Sequence, residues 1–138
     1  MSSTIDMQLM RYINLFERIS RVSTTNCFIY NNTIFFAVPK GLVFRAIGKN
    51  GDNVKRMGEV FRRKIKVVEE RDLKEADKFV SDVVAPVEFV KFEIRNNIAI
   101  LNAGKQSKAA LIGRNRLREQ ELEDILKRFF DVIELKIL

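Results

Sequence analysis

The sequence repeats itself at a spacing of 65 residues. The run Ile-Tyr-Asn-Asn at 29–32 falls on Ile-Arg-Asn-Asn at 94–97. In the same register, Ile-Gly-Lys-Asn at 47–50 falls on Ile-Gly-Arg-Asn at 112–115. A fixed internal period is typical of chains built from copies of one structural unit, so the repeat constrains the fold before any element is assigned.

The repeat divides the chain into two units of nearly equal length. A chain of 138 residues is long enough for one ordinary domain or two very small ones, and the repeat favours two. We therefore predict domains at 1–70 and 71–138. Extended without a gap, the register also aligns Val67-Val68 with Val132-Ile133. Because almost no linker separates the copies, we expect them to pack together.

The first copy has the pattern of an α+β unit. Apolar residues recur at helical spacing from Leu9 to Phe16, and Thr4 or Asp6 would cap that helix. Two β-rich runs flank Asn31-Asn32, a pair that suits a tight hairpin turn. The predicted elements are a helix around 9–16, strands at 27–30 and 34–38, a short helix at 41–47, a helix carrying Val54, Met57 and Phe61, and a strand at 65–70.

The second copy shows the same order. Its predicted elements are a helix at 72–84, strands at 87–95 and 98–102, a short helix at 105–112, a helix carrying Leu122, Ile125, Leu126 and Phe129, and a strand with alternating Ile133, Leu135 and Ile137. Each copy is therefore predicted to run helix-strand-strand-helix-helix-strand. The helices would pack on one face of a small three-stranded sheet.

Composition excludes several classes of function. The chain contains no His, which removes the usual catalytic base and zinc ligand, and its single Cys27 cannot form an internal disulfide or a Cys-rich metal site. We therefore expect a protein that is not an enzyme and needs no metal or cofactor. No apolar run reaches the length of a membrane helix, and the first residues lack the pattern of a signal peptide, so we expect a cytoplasmic protein.

Positive charge is concentrated around two glycine loops. The net charge is +7, and residues 40–66 contain nine Lys and Arg against only Asp52 and Glu59. A second run, 104–118, contains five basic residues and no acid. Either run alone would be typical of a solvated surface. Their position around the two glycine loops favours binding to a polyanion.

The first glycine loop, Gly48-Lys49-Asn50-Gly51, lies between two predicted helices. Without a Cβ atom, glycine lets a phosphate backbone approach closely, and the following helix would present free amide groups to the anion. We expect Lys49 to add charge at the tip and Asp52 to cap the helix. The spacing does not fit a P-loop, and a dinucleotide-binding loop would follow a strand rather than a helix.

A GxxG loop in this order of elements resembles the type II K-homology (KH) domain, and the tandem pair is similar to the archaeal NusA-like transcription factors. The resemblance covers the whole chain and implies that about four nucleotides of single-stranded RNA bind at a GxxG loop. It also implies a role in transcription elongation, termination or antitermination, with a nascent transcript and RNA polymerase as partners.

The resemblance assigns RNA-binding residues in both copies. In the first copy, the loop matches the family pattern in full, Ile47 would line the groove for the bases, and Lys55 and Arg56 would add charge. In the second copy the loop reads Gly-Arg-Asn-Arg, so an arginine replaces the second glycine. Its side chain could hinder the approach of the RNA backbone, and its charge could still attract the RNA. The assigned residues are Ile47, Gly48, Lys49, Asn50, Gly51, Lys55, Arg56, Gly113, Arg114, Asn115 and Arg116.

Two other functions remain open at this point. A tandem KH protein could act in ribosome assembly or RNA processing, and an adaptor could dock on RNA polymerase with little RNA contact of its own. The chain contains 11 Phe, but periodicity places most of them in the core, so the sequence predicts no stacking platform for bases.

Overall fold

The computed structural model of the protein describes residues 3–24 and 26–138. The chain separates into two units, Met1–Glu70 and Arg71–Leu138. Each unit contains a three-stranded sheet and follows the order helix, strand, strand, helix, helix, strand. This confirms the predicted α+β class and order of elements, and it is consistent with two small KH-like domains. Within the described residues, no helix is long and apolar enough to cross a membrane.

The first unit is built around a mixed sheet. Its elements are α1 (Ser3–Ser20), β1 (Asn26–Tyr30), β2 (Thr33–Val38), α2 (Val43–Ile47), α3 (Asp52–Phe61) and β3 (Lys64–Glu69). Strand β2 lies in the centre, antiparallel to β1 and parallel to β3. Asn31 and Asn32 both have positive φ, as the tight turn between β1 and β2 requires.

The core of the first unit joins the three helices to one face of the sheet. Phe16 of α1 stacks on Phe36 of β2 with ring centroids 4.2 Å apart, and both side chains are fully buried. Ala46 of α2 and Met57 of α3 are buried in the same cluster. The short helix α2 is therefore anchored by Ala46 and the partly buried Val43, and its opposite face is turned away from this core.

The second unit has the same topology. Its elements are α4 (Ala76–Val84), β4 (Lys91–Arg95), β5 (Ile98–Asn102), α5 (Lys108–Ile112), α6 (Leu117–Phe130) and β6 (Glu134–Ile137). Strand β5 lies in the centre, antiparallel to β4 and parallel to β6. Leu111 of α5 and Leu122 and Leu126 of α6 are fully buried, and Phe79 of α4 packs against Phe129 and Phe130.

The ungapped register of the repeat is wrong at the end of the second unit. The spacing of 65 holds from the first hairpin to the start of the last helix, but α6 has 14 residues where α3 has 10. Thr33 pairs with Lys64, whereas its counterpart Ile98 pairs with Glu134 instead of residue 129. Ile133 therefore precedes β6 and is exposed, and does not continue the alternating apolar face of the strand.

Several element ends also differ from the sequence prediction. Helix α1 already begins at Ser3, so Thr4 and Asp6 lie inside it and not at its cap. Strand β4 begins at Lys91, because the chain after Pro86 makes turns before it pairs with β5. Helix α5 begins at Lys108, since a turn that starts at Gly104, with φ of +81°, occupies the preceding residues.

The stacked pair of phenylalanines in the first unit predicts a strong effect on stability. We expect Phe16→Ala to lower the free energy of unfolding by about 3–5 kcal/mol, because it removes a fully buried ring and leaves a cavity. Met10→Ala on the same helix, where the side chain is exposed, is the matched control and should change stability by less than about 0.5 kcal/mol. Urea unfolding followed by circular dichroism measures both, and equal effects would contradict the packing described.

Candidate nucleic-acid interface

The first glycine loop is a tight connection between α2 and α3. Helix α2 ends at Ile47, a single 3₁₀ turn covers Lys49–Gly51, and α3 begins at Asp52. The amide of Gly48 donates to the carbonyl of Phe44 at 3.0 Å, and the amide of Gly51 donates to the carbonyl of Gly48 at 3.0 Å. These bonds close the turn on itself and leave Lys49 and Asn50 exposed at its tip.

The loop needs its first glycine for two reasons. Gly48 has φ of 84° and ψ of 166°, a region that only glycine adopts readily. A Cβ atom at this position would also lie 2.7 Å from Cγ of Asn53. The side chain of Asn53 occupies that place because its Nδ2 donates to the carbonyls of Ala46 at 3.2 Å and Arg45 at 3.4 Å, which caps the end of α2.

Position 51, the second glycine of the loop, has more space for a side chain than position 48. Gly51 has φ of 73° and ψ of 18°, in the left-handed region, and a Cβ there would meet no atom closer than 3.8 Å. Asn50, at φ of 55° and ψ of 25°, adopts a similar conformation, which asparagine tolerates better than most residues. The left-handed backbone, and not a shortage of space, favours glycine at position 51.

Unpaired positive charge surrounds this loop. Lys49 at the tip and Lys55 and Arg56 on α3 are exposed, as is Arg45 on α2. Across residues 3–24 and 26–138, none of these four cations forms an ion pair. Their charge is therefore free to attract an external anion.

The start of α3 differs from the sequence prediction in one respect. Asp52 is the first residue of the helix, Gly51 takes the flanking position, and no side chain caps the helix. The predicted cap by Asp52 is therefore wrong, because the αL glycine already turns the chain into the helix. The Asp52 carboxylate still lies in the first turn, where it interacts favourably with the helix dipole.

The second glycine loop has the same backbone as the first. Gly113 has φ of 75° and ψ of 170°, and Asn115 and Arg116 both lie in the left-handed region, at φ of 56° and 61°. A Cβ on Gly113 would lie 2.6 Å from Cγ of Arg118, so this first glycine is again required. Arg116 therefore occupies a conformation that glycine holds in the first unit, at a cost in backbone strain.

The charges of the second loop are arranged differently. Nε of Arg116 donates to Oε1 of Glu119 at 2.7 Å, and this hydrogen bond raises the pKa of the guanidinium above its usual value. Arg118 pairs with Glu121 at 3.1 Å. At the repeat spacing of 65, Gln120 and Glu121 stand where the first unit has Lys55 and Arg56. Acidic side chains thus compete with any external anion for Arg116 and Arg118, whereas Arg114 at the tip forms no ion pair among the described residues.

Known proteins resemble this chain along most of its length. No protein-family model matches it. The "Probable transcription termination protein NusA" of Methanocaldococcus jannaschii is 28% identical over 91% of this chain and 70% of that protein. The protein of the same name from Halococcus morrhuae is 25% identical over 99% of both chains. The chain is NusA-like, in that it resembles archaeal proteins of this name over most of its length.

A third relative of that name, from Methanococcus vannielii, is 28% identical to the NusA-like chain over 91% of its length and 74% of the relative. Among solved structures, the crystal structure of APE1850 superposes with a TM-score of 0.68 at 25% identity, over 96% of this chain and 99% of the other. These findings confirm the family resemblance that the sequence motifs indicate.

In the NusA-like chain, the residues that the resemblance assigns to RNA binding form two clusters, one in each unit. Ile47, the loop at 48–51, Lys55 and Arg56 form a continuous stretch from the end of α2 to the second turn of α3. The other four residues, 113–116, form the loop between α5 and α6. Their role in RNA binding stays a prediction.

Sequence reasoning missed one residue beside the first loop. Phe44 on α2 has 87% of its side chain exposed, the highest value among the exposed large apolar residues that the structure describes. Helical spacing could have predicted this exposure. Phe44 is two residues before the buried Ala46 and therefore lies on the opposite side of α2. Periodicity predicted that most of the 11 Phe lie in the core, so Phe44 was not singled out.

The two glycines of the first loop predict different responses to the same substitution. Gly48→Asn should lower the free energy of unfolding by about 2 kcal/mol or more, because asparagine does not favour this backbone conformation and its Cβ meets Asn53. Gly51→Asn is the matched variant and should cost less than about 1 kcal/mol, since asparagine tolerates the left-handed region. Urea unfolding measures both, and equal losses would disprove the distinction.

Proposed function

We propose that this NusA-like chain is a non-catalytic RNA-binding protein of transcription that holds single-stranded RNA at loop 48–51. The observation that supports the proposal most directly is the first loop itself. It combines an exposed, tightly turned tip with four cations that form no ion pair among the described residues. Such an arrangement suits a negatively charged backbone better than a neutral small molecule.

The phosphates would lie against the loop and the first turn of α3. At its amino end a helix presents backbone amides and a positive partial charge, both of which favour an anion. Gly51 has no side chain that would hold the phosphate away from this end of the helix. Lys49, Lys55 and Arg56 would then supply full positive charges on either side of the strand.

The bases would extend over the apolar side of the same site. Ile47 is half-buried at the end of α2, next to Gly48, and offers an apolar surface at the edge of the loop. Bases can reach such a surface only when they are unstacked and unpaired, which favours single strands over a duplex. The substrate class that we propose is therefore single-stranded RNA.

The second loop is proposed to contribute less. It has the same backbone, but Arg116 pairs with Glu119, and Glu121 stands where the first unit has Arg56. An incoming phosphate would have to displace a carboxylate from Arg116 or Arg118 before it could pair with either. Loop 113–116 is therefore a weaker binding element than loop 48–51.

The role in transcription rests on the relatives. Three similar archaeal proteins bear the name "Probable transcription termination protein NusA". We therefore propose the nascent transcript as the RNA, RNA polymerase as a protein partner and the cytoplasm as the location. Crosslinking in the source cells, followed by sequencing of the recovered RNA, tests this role. Recovery of nascent transcripts supports it, whereas recovery of ribosomal RNA alone would indicate ribosome assembly.

Binding to RNA should weaken as the salt concentration rises. We expect the logarithm of the affinity to fall with the logarithm of the salt concentration, with a slope of about −0.7 for each phosphate contacted on a single strand. Fluorescence anisotropy with a labelled oligonucleotide at several salt concentrations measures the slope. A slope near zero, or tighter binding to a duplex of the same sequence, would contradict the proposal.

The two loops should differ when their tips are changed in the same way. Lys49→Asp with Asn50→Asp keeps both glycines and places two negative charges against the phosphates, so we expect the affinity to fall at least about tenfold. The matched variant, Arg114→Asp with Asn115→Asp, should lose clearly less. Both proteins should unfold at the same urea concentration as the wild type, and equal losses of affinity would disprove the inequality of the loops.

A further inference from the structure

Phe44 is an aromatic side chain that nothing in the fold accounts for. Its neighbours on α2 contribute to the core, with Ala46 fully buried and Val43 packed against the same cluster. Phe44 itself is 87% exposed. Burying an aromatic ring of this size is worth about 2 kcal/mol, so the fold gains little from phenylalanine at this position.

The position of Phe44 on α2 connects it to the loop. It precedes Ile47 by three residues and Gly48 by four, and residues at these spacings lie on one face of a helix. The carbonyl of Phe44 also accepts the amide of Gly48 at 3.0 Å. Phe44, Ile47 and the first loop glycine therefore form one stripe, about one helical turn or 5.4 Å long.

The charges near Phe44 indicate what kind of surface covers the ring. Arg45 is adjacent to it, and Lys49 lies just beyond the stripe; both are exposed and, among the residues described, neither forms an ion pair. An aromatic face between unpaired cations matches a strand that alternates flat bases with phosphates. A purely apolar protein partner would leave these cations desolvated and without a counter-charge.

The second unit lacks this residue. At the repeat spacing of 65, Ala109 stands in the place of Phe44, and Ile112 and Gly113 stand in the places of Ile47 and Gly48. The ring is thus present only beside the loop whose four nearby cations form no ion pair in the described part of the chain. It is absent beside the second loop, where Arg116 and Arg118 pair with glutamates and Arg114 does not. The ring therefore accompanies the loop with more free charge, which is expected if both serve one ligand.

We propose that Phe44 is a stacking platform for one base of the RNA strand held at loop 48–51. The inference rests on the proposed function, since it uses the same bound strand. A phosphate at the loop would place the neighbouring nucleotide along α2, where its base can lie flat on the exposed ring. Stacking of this kind is tolerant of sequence, because every base offers a flat face.

The test measures binding of a labelled oligoadenylate to four variants of the full chain. Phe44→Ala should lose about tenfold in affinity, within the range that stacking on one base contributes. Phe44→Leu keeps an apolar side chain without a ring face and should lose nearly as much, whereas Phe44→Trp should retain the affinity. Val60→Ala removes an exposed apolar side chain elsewhere on α3 and should bind like the wild type.

A second readout follows from composition. The chain contains no tryptophan, so Phe44→Trp introduces a single fluorophore at the proposed contact. A stacked base should quench its emission as RNA is added. The slope of affinity against salt should be the same for Phe44→Ala and the wild type, because the substitution removes no charge.

The outcomes separate this inference from the proposed function. If Phe44→Ala or Phe44→Leu binds like the wild type while Lys49→Asp with Asn50→Asp loses binding, the stacking role is wrong and RNA binding at the loop stands. Unquenched emission from Phe44→Trp in the RNA complex likewise overturns stacking. If Phe44→Ala instead loses only binding to RNA polymerase, the ring is a protein contact. If the wild type does not bind single-stranded RNA, both proposals fail.

Discussion

The site depends on how closely α3 approaches the end of α2. Asn53 reaches back to cap the last carbonyls of α2, and the space it occupies leaves no room for a Cβ at position 48. This close approach adds to the demand that the backbone conformation of Gly48 already makes for glycine, and the turn leaves Lys49 exposed at its tip. In the second unit, Arg118 crowds the first glycine in the same way with a different side chain, so the requirement arises from the backbone path and not from asparagine itself.

Loops 48–51 and 113–116 therefore share one backbone conformation but differ in the charges around them. The torsion angles of the two loops agree within about ten degrees, even where an arginine replaces a glycine. Around one loop the four cations form no ion pair in the described part of the chain, and around the other, glutamates on α6 bind Arg116 and Arg118 but not Arg114. A cation that is already paired with a carboxylate attracts a phosphate less strongly than an unpaired cation does. The number of basic residues therefore does not measure how strongly either loop binds an anion.

The order of elements could be predicted because the signals that set it are local. Asn31-Asn32 and its repeat require positive φ at two consecutive residues, and the glycines mark the ends of α2 and α5. The lengths of the helices and strands between these turn residues were harder to predict. Nothing in the repeat indicates that α6 runs four residues beyond the length of α3, which shifts the register of β6. The pairing of Arg116 with Glu119 depends on rotamers across one helical turn, and Phe44 was missed because its helical phase was not weighed against the core.

The left-handed conformation of Arg116 has a consequence for how such a chain can change over time. The second unit has the same loop geometry with arginine where the first unit has glycine, so the loop conformation accommodates either residue at this position. The residues that distinguish the surroundings of the two loops, Glu119 and Glu121, are half-buried on α6 and are not part of the buried core. In a duplicated domain of this kind, substitutions at a few positions outside the core can thus raise or lower the affinity for a ligand without preventing folding. Duplication followed by such substitutions leaves one copy free to acquire a new ligand while the other retains the old one.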